Sequence, residues 1–187
     1  DPEKEFGRPL RAALEIGVAE DAVIAASEAQ AEAFWRLRDS ISEAEKKDGP
    51  AAKHDISVEI SAMPRFMVEA GAEVERLFAG TRVVAFAHLG DGNVHFNVRA
   101  PAGAEASWVE EAGPAVTAFV HDLVTAAGGS ISAEHGIGQM RLSELARLGD
   151  PARLAAMRAI KKALDPKGIM NPGKLVPPFD RAQESLA

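Results

Sequence analysis

The sequence predicts an α+β fold, an antiparallel sheet covered by helices on one face. Three observations carry that prediction. Residues 87–97, Ala-His-Leu-Gly-Asp-Gly-Asn-Val-His-Phe-Asn, read as a β-hairpin turning at Asp91-Gly92. An alternating strand pattern at 53–61 precedes it, separated from it by a helical stretch. A long helical pattern at 105–127 follows it and stops at Gly128-Gly129.

Composition sets the outer limits. A chain of 187 residues is long enough for one sizeable domain. Its 47% hydrophobic and 26% charged content is that of an ordinary globular protein. A net charge of −7 argues against nucleic acid or an anionic membrane surface as partner, although local basic residues can still hold a small anion. The absence of cysteine excludes a disulfide frame, a thiolate metal site and a cysteine nucleophile, and fits a cytoplasmic setting. No apolar run reaches the roughly 18 residues of a membrane span. The opening Asp-Pro-Glu-Lys-Glu-Phe has neither the apolar segment of a signal peptide nor an initiator Met, so the chain reads as a piece of a longer protein.

The elements follow in order. Residues 1–22 are mixed, with a short helix expected over Leu10–Ile16. From Ser27, a candidate N-cap, to Lys47 the pattern is helical: Ala31, Phe34, Trp35, Leu37, Ile41 and Ala44 recur at three- and four-residue steps. Gly49-Pro50 ends it. In the strand from Lys53 to Ser61, Ile56, Val58 and Ile60 are expected to be buried and Asp55, Ser57 and Glu59 wet. Met63-Pro64 opens a helix to Phe78, with Phe66, Met67, Ala70, Val74 and Leu77 as its apolar stripe. The nearly continuous apolar run from Arg82 to Leu89 suggests a central strand, and Asn93 to Arg99 forms the next.

A single helix is expected from Glu105 to Ala127. Beyond the Gly-rich stretch 130–138, residues 139–187 read as a helical extension, with helices at 139–148 and from Pro151 to Leu164, a turn at Asn171-Pro172-Gly173-Lys174 and frayed last residues. The order β-α-β-β-α is most of a ferredoxin-like unit.

The hairpin carries the first chemistry. A turn at Asp91-Gly92 would pair Gly90 with Asn93, Leu89 with Val94 and His88 with His95, putting the two imidazoles opposite each other with Cβ atoms about 4.5–5.5 Å apart. Period-2 alternation puts Phe86 and Asn97 on the same face. Two nitrogens so placed suit a metal ion, which needs at least a third ligand. Glu134, on a glycine-rich loop, is the candidate; Asp91 competes, though a turn aspartate commonly serves the turn. The adjacent His135 would then lie beside the open position as a general base. Arg38 and Lys53 could hold an anionic group. Taken alone, Arg38 is a surface charge paired with a neighbour such as Asp39. These residues permit a metallohydrolase, with a metal-activated water, as well as oxidation of a metal-chelated hydroxyl.

Three stretches carry a resemblance: His-Leu-Gly-Asp-Gly-Asn-Val-His-Phe-Asn at 88–97, Ser-Ala-Glu-His-Gly-Ile-Gly at 132–138, and Leu-Asp-Pro-Lys-Gly-Ile-Met-Asn-Pro-Gly-Lys at 164–174. Together they resemble the C-terminal domain of FAD-linked 2-hydroxy-acid dehydrogenases of the vanillyl-alcohol-oxidase type. That family includes D-2-hydroxyglutarate and D-lactate dehydrogenases and the glycolate oxidase flavin subunit. The resemblance covers essentially all of 1–187. It implies that His88, His95 and Glu134 hold a divalent metal, usually zinc, that His135 is the active-site base and that Asn97 contacts substrate.

Arg38, Ser42 and Lys53 resemble the 2-hydroxyglutarate-type signature, with Ser42 replacing the usual Thr. Lys53 favours a dicarboxylic 2-hydroxy acid over the lactate and glycolate types. Asn171 and Lys174 would lie near the flavin. Nothing resembles the family's N-terminal FAD-binding domain, so the implied partners are that domain of the parent chain, a small 2-hydroxy acid and an electron-transfer partner. The chain alone is expected to be unable to bind FAD tightly or to transfer a hydride.

Overall fold

The structure is a computed structural model that describes residues 2–176, the side chains of residues 2–4, Ser42 and Lys46 excepted. The frayed end expected after residue 176 lies outside the described residues. The chain divides into two compact units, Asp1–Asp48 and Gly49–Ala187.

The first unit holds α1 (Pro2–Glu15) and α2 (Glu28–Lys47). Helix α1 is longer than the expected 10–16 and accommodates Pro9 in its interior. Ser27 caps α2 as expected: its Oγ accepts from the amide of Gln30 (3.3 Å), and the Gln30 side chain accepts in return from the amide of Ala26 (2.7 Å). This is a capping box shifted by one residue on its return arm. The apolar stripe of α2 is not buried; Trp35 and Leu37 stay exposed.

The second unit contains β1 (Ala51–Ser57), α3 (Met63–Leu77), β2 (Arg82–His88), β3 (Asn93–Arg99), α4 (Trp108–Glu111), α5 (Gly113–Ala126), α6 (Leu142–Leu148) and α7 (Pro151–Leu164). The sheet is antiparallel in the order β1-β3-β2. The α+β class and the β-α-β-β-α order are therefore as expected. The central strand is β3, however, and β2, the more apolar run, is an edge. Its side chains are only half-buried, whereas nearly all of β3 is buried. After α5 the chain returns beside β1. The Ser57 amide donates to the Ser130 carbonyl (3.0 Å) and the Ser130 amide to the Ser57 carbonyl (2.8 Å), an isolated bridge where a fourth strand would begin. Gly129 permits this approach, because a Cβ there would collide with the Ser57 carbonyl oxygen.

The expected helix 105–127 is broken into α4 and α5. Pro114 lacks an amide proton and its ring crowds the carbonyl four residues earlier, so the chain restarts at Gly113-Pro114. The later helix 139–148 starts only at Leu142, and α7 is capped by Asp150, whose carboxylate accepts from the Arg153 amide (2.8 Å). Ile56, Val58, Phe66, Val74, Val94, Phe96, Val98, Val116, Val120 and Val124 form the core between the sheet and helices α3 and α5. Among the described residues, no helix is long and apolar enough to cross a membrane.

The other face of the sheet is polar yet largely buried. Asp55, Asn93, Asn97 and Arg99 are each less than 5% exposed. Asp55 was expected to be wet. It is covered instead by the 130–141 segment, folding back from far along the chain, which a strand's own alternation cannot report.

Candidate metal centre and its cleft

The hairpin register differs from expectation by two residues. His88 pairs with Asn93 and His95 with Phe86, so the loop is Leu89, Gly90, Asp91 and Gly92. A two-residue type I′ turn needs positive φ at both central residues. Here Gly92 has φ +77°, but Asp91 is not among the positive-φ residues. The Asp91 carboxylate accepts from the Asn93 amide (3.0 Å) and so serves the turn. Gly92 is also pressed against β1: its carbonyl accepts from the Val58 amide, and a Cβ would strike the Val58 carbonyl oxygen.

A slip of two residues keeps every side chain on its expected face, unlike a slip of one. His88 and His95 are thus diagonal neighbours, with Nε2 atoms 3.4 Å apart and rings edge-on at 5.4 Å.

Glu134 meets both. Its Oε1 lies 3.6 Å from His88 Nε2 and its Oε2 3.8 Å from His95 Nε2. One ligand atom from each of the three residues lies within 4.8 Å of the others. Donors on a tetrahedral zinc, with bonds of roughly 2.0–2.1 Å, stand about 3.3–3.4 Å apart. The donor set therefore needs only small side-chain movements to close on such an ion. Two imidazoles and a carboxylate leave a position open, the pattern of catalytic rather than structural zinc.

The residue that sequence reasoning missed is Asp55. It pairs across the sheet with His95 and is 2% exposed. Its Oδ2 accepts from the His135 backbone amide (2.8 Å) and its Oδ1 from Asn93 Nδ2 (2.7 Å). Burial pushes the Asp55 carboxyl upward. The hydrogen bonds from His135, Asn93 and Glu134 outweigh that and hold it below the ordinary aspartate range, so it is ionised. A single aspartate in an alternating strand carries no sequence signal of this role.

The His135 ring is 64% exposed, with Nδ1 3.6 Å from Asp55 Oδ2 and its centroid 6.4 Å from that of His95. Arg141 steadies the loop by donating to Ser132 Oγ (3.1 Å) and the Gly136 carbonyl (2.9 Å).

His135 also lines a cleft of about 940 Å³ beside β1, with Lys53, His54, Thr117, Arg141 and Lys174. Its cations suit an anionic guest. The floor is neutral: buried His54 meets the Phe96 carbonyl (2.8 Å) and Thr117 Oγ1 (3.0 Å), and desolvation, assisted by His121 and Arg141, lowers its pKa to about 4. Asn97 pairs with Lys53 and shares the face of His95. Lys174 donates to the Gln139 side chain, and Asn171, at φ +44°, turns the chain ahead of it. Arg38 belongs to the first unit, where it donates to Asp39 (3.2 Å) and lies 5.9 Å from the Trp35 ring centroid, the surface pairing expected of it alone. The Ser42 side chain lies outside the described part.

Residues 3–175 match the family model described as FAD linked oxidases, C-terminal domain. A D-2-hydroxyglutarate dehydrogenase of Xanthomonas citri pv. viticola is 42% identical over 89% of the chain and 35% of its own length. The mitochondrial D-2-hydroxyglutarate dehydrogenases of Arabidopsis thaliana and Bos taurus are 37% and 34% identical over 90% and 95% of the chain, or 29% and 31% of theirs. The chain thus spans about a third of the length of these relatives. It belongs to the C-terminal domain family of FAD-linked oxidases.

Proposed function

We propose that this chain is the substrate- and metal-binding part of an FAD-dependent D-2-hydroxy-acid dehydrogenase that oxidises a 2-hydroxyglutarate-like dicarboxylate to the 2-oxo acid. The observation that carries this reading is the convergence of His88, His95 and Glu134 with His135 next in the chain. His88, His95 and Glu134 would hold a divalent ion, zinc by the donor set, which when bound supplies Lewis-acid polarisation of a hydroxyl group. FAD, when bound, supplies the acceptor for the C2 hydride. The Asn171–Lys174 turn offers one amide and one ammonium, which can touch a flavin but not enclose it. Enclosing FAD accordingly falls to the rest of the parent chain.

The chain's own residues do the remainder. His135 takes the hydroxyl proton. An imidazole beside the open position can serve as that general base. Lys53 holds the distal carboxylate, and Asn97 orients the bound acid. The names of the relatives and the cationic lining of the cleft support the dicarboxylate over lactate or glycolate.

The test is flavin reduction in the full-length, FAD-loaded protein mixed anaerobically with D-2-hydroxyglutarate, before and after chelation. Reduction that collapses on chelation and returns with Zn²⁺ supports the reading. Reduction indifferent to the metal refutes the metal-dependent mechanism. Ester or amide hydrolysis by the zinc-loaded protein without flavin would support the hydrolase instead.

A further inference from the structure

The loop that presents Glu134 and His135 is held at its flanks, where the Ala133 amide donates to the Asp55 carbonyl (3.3 Å) and Arg141 ties Ser132 and Gly136. Gly136 and Gly138 follow at φ +70° and +55°, a backbone that glycine adopts and readily leaves. Both functional side chains are substantially exposed. Among the described residues, no backbone carbonyl receives the amide of Glu134 or His135. The His135 amide goes to the buried carboxylate of Asp55, which Asn93 anchors from β3.

We propose that Asp55 is a positioning residue: through the His135 amide it fixes the Glu134–His135 pair, setting the metal ligand toward His88 and His95 and the base toward the cleft in a single arrangement. The inference rests on the functional reading above and deepens it. Its chemistry is specific to a carboxylate. Two oxygens without protons can accept from several N–H groups at once, whereas an asparagine of the same shape has one acceptor oxygen and turns an NH₂ toward donors. A buried anion is costly unless its oxygens are met, and here both are.

Asp55 also links the two halves of the site. Asn93 is the register partner of His88, and Asp55 that of His95, so the clamp on the loop is built into the ladder that carries both imidazoles. Arg141, 4.0 Å from Asp55 Oδ2, supplies a nearby compensating charge while it ties Ser132 and Gly136.

The experiment compares the full chain with its Asp55→Asn variant by calorimetric titration of Zn²⁺, thermal melting without metal, and amide hydrogen exchange. The expected result is a folded variant whose Zn²⁺ affinity falls about 10–100-fold, the range for lost outer-sphere support. Exchange at the His135 amide should accelerate selectively. A variant that melts earlier yet binds Zn²⁺ as tightly as the wild type would reduce Asp55 to a structural residue and overturn the proposal.

The wild type alone also decides the point if the variant does not fold. A His135 amide protected like those of β1 supports the clamp, whereas exchange at the rate of an open loop overturns it. Failure of the wild type to bind Zn²⁺ would instead defeat the metal reading, and the exchange rates would still judge Asp55.

Discussion

Acid should act on this protein first through His54. The residue is 4% exposed, so solvent screening takes little from the effect. Its pKa falls from 6.5 unfolded to about 4 folded, chiefly by desolvation and further by the nearby charges of His121 and Arg141, against the opposing hydrogen bond of the Phe96 carbonyl. The unfolded chain therefore binds more protons than the folded one between those two values, and stability rises with pH across that window. The contribution is intact above pH 6.5 and is lost progressively as the pH drops toward 4. A shift of that size corresponds to about 3 kcal/mol in full, and about 2 kcal/mol of it is gone between pH 7 and 5.

The assay is urea unfolding followed by circular dichroism at pH 7 and 5 for the wild type and His54→Gln, which cannot be protonated. The wild type should lose about 2 kcal/mol more than the variant over that interval. Identical losses would refute the assignment of a buried neutral imidazole at His54. His121, whose pKa burial also lowers despite its bond to Glu144, adds in the same direction, so the double variant should be flatter still.

Other expectations bear on the chemistry. His135→Asn in the FAD-loaded full-length protein should cut kcat by roughly 10²–10⁴-fold while leaving zinc content unchanged, as for loss of a general base; a variant that loses its zinc together with its kcat would instead make His135 a ligand. Lys53→Met should raise KM for D-2-hydroxyglutarate by roughly tenfold and leave D-lactate nearly untouched, since only the dicarboxylate brings a second charge to the cleft. Equal effects on both substrates would sink the specificity argument. Kinetics of flavin reduction check both variants.

What was legible in the sequence was local chemistry. Ser27, Met63-Pro64 and Asp150-Pro151 mark helix starts by their capping and their fixed φ, and each of those helices forms there. The faces of the hairpin were legible because alternation survives a two-residue slip. Its register was not, because turn type depends on whether Asp91 accepts a positive φ, and its carboxylate prefers the Asn93 amide.

Contacts between distant segments were hidden for a different reason. The apolar run of β2 reads as a central strand, but strand order follows from which neighbour β3 pairs with on each side. Asp55 reads as a wet residue until the 130–141 segment closes over it, and it then joins loop, hairpin and imidazole. The break at Gly113-Pro114 was visible in the residues themselves, where the steric demand of Pro114 outweighs the helical periodicity around it.

The proposed chemistry depends most directly on the metal. Zinc content of the full chain, equilibrated with Zn²⁺ and dialysed, should be one ion per chain, with an X-ray absorption edge and bond lengths of a nitrogen- and oxygen-ligated tetrahedral site. The His88→Ala/His95→Ala variant should retain none while remaining folded. Zinc held equally by that variant, or a wild type that takes up no ion, would contradict it.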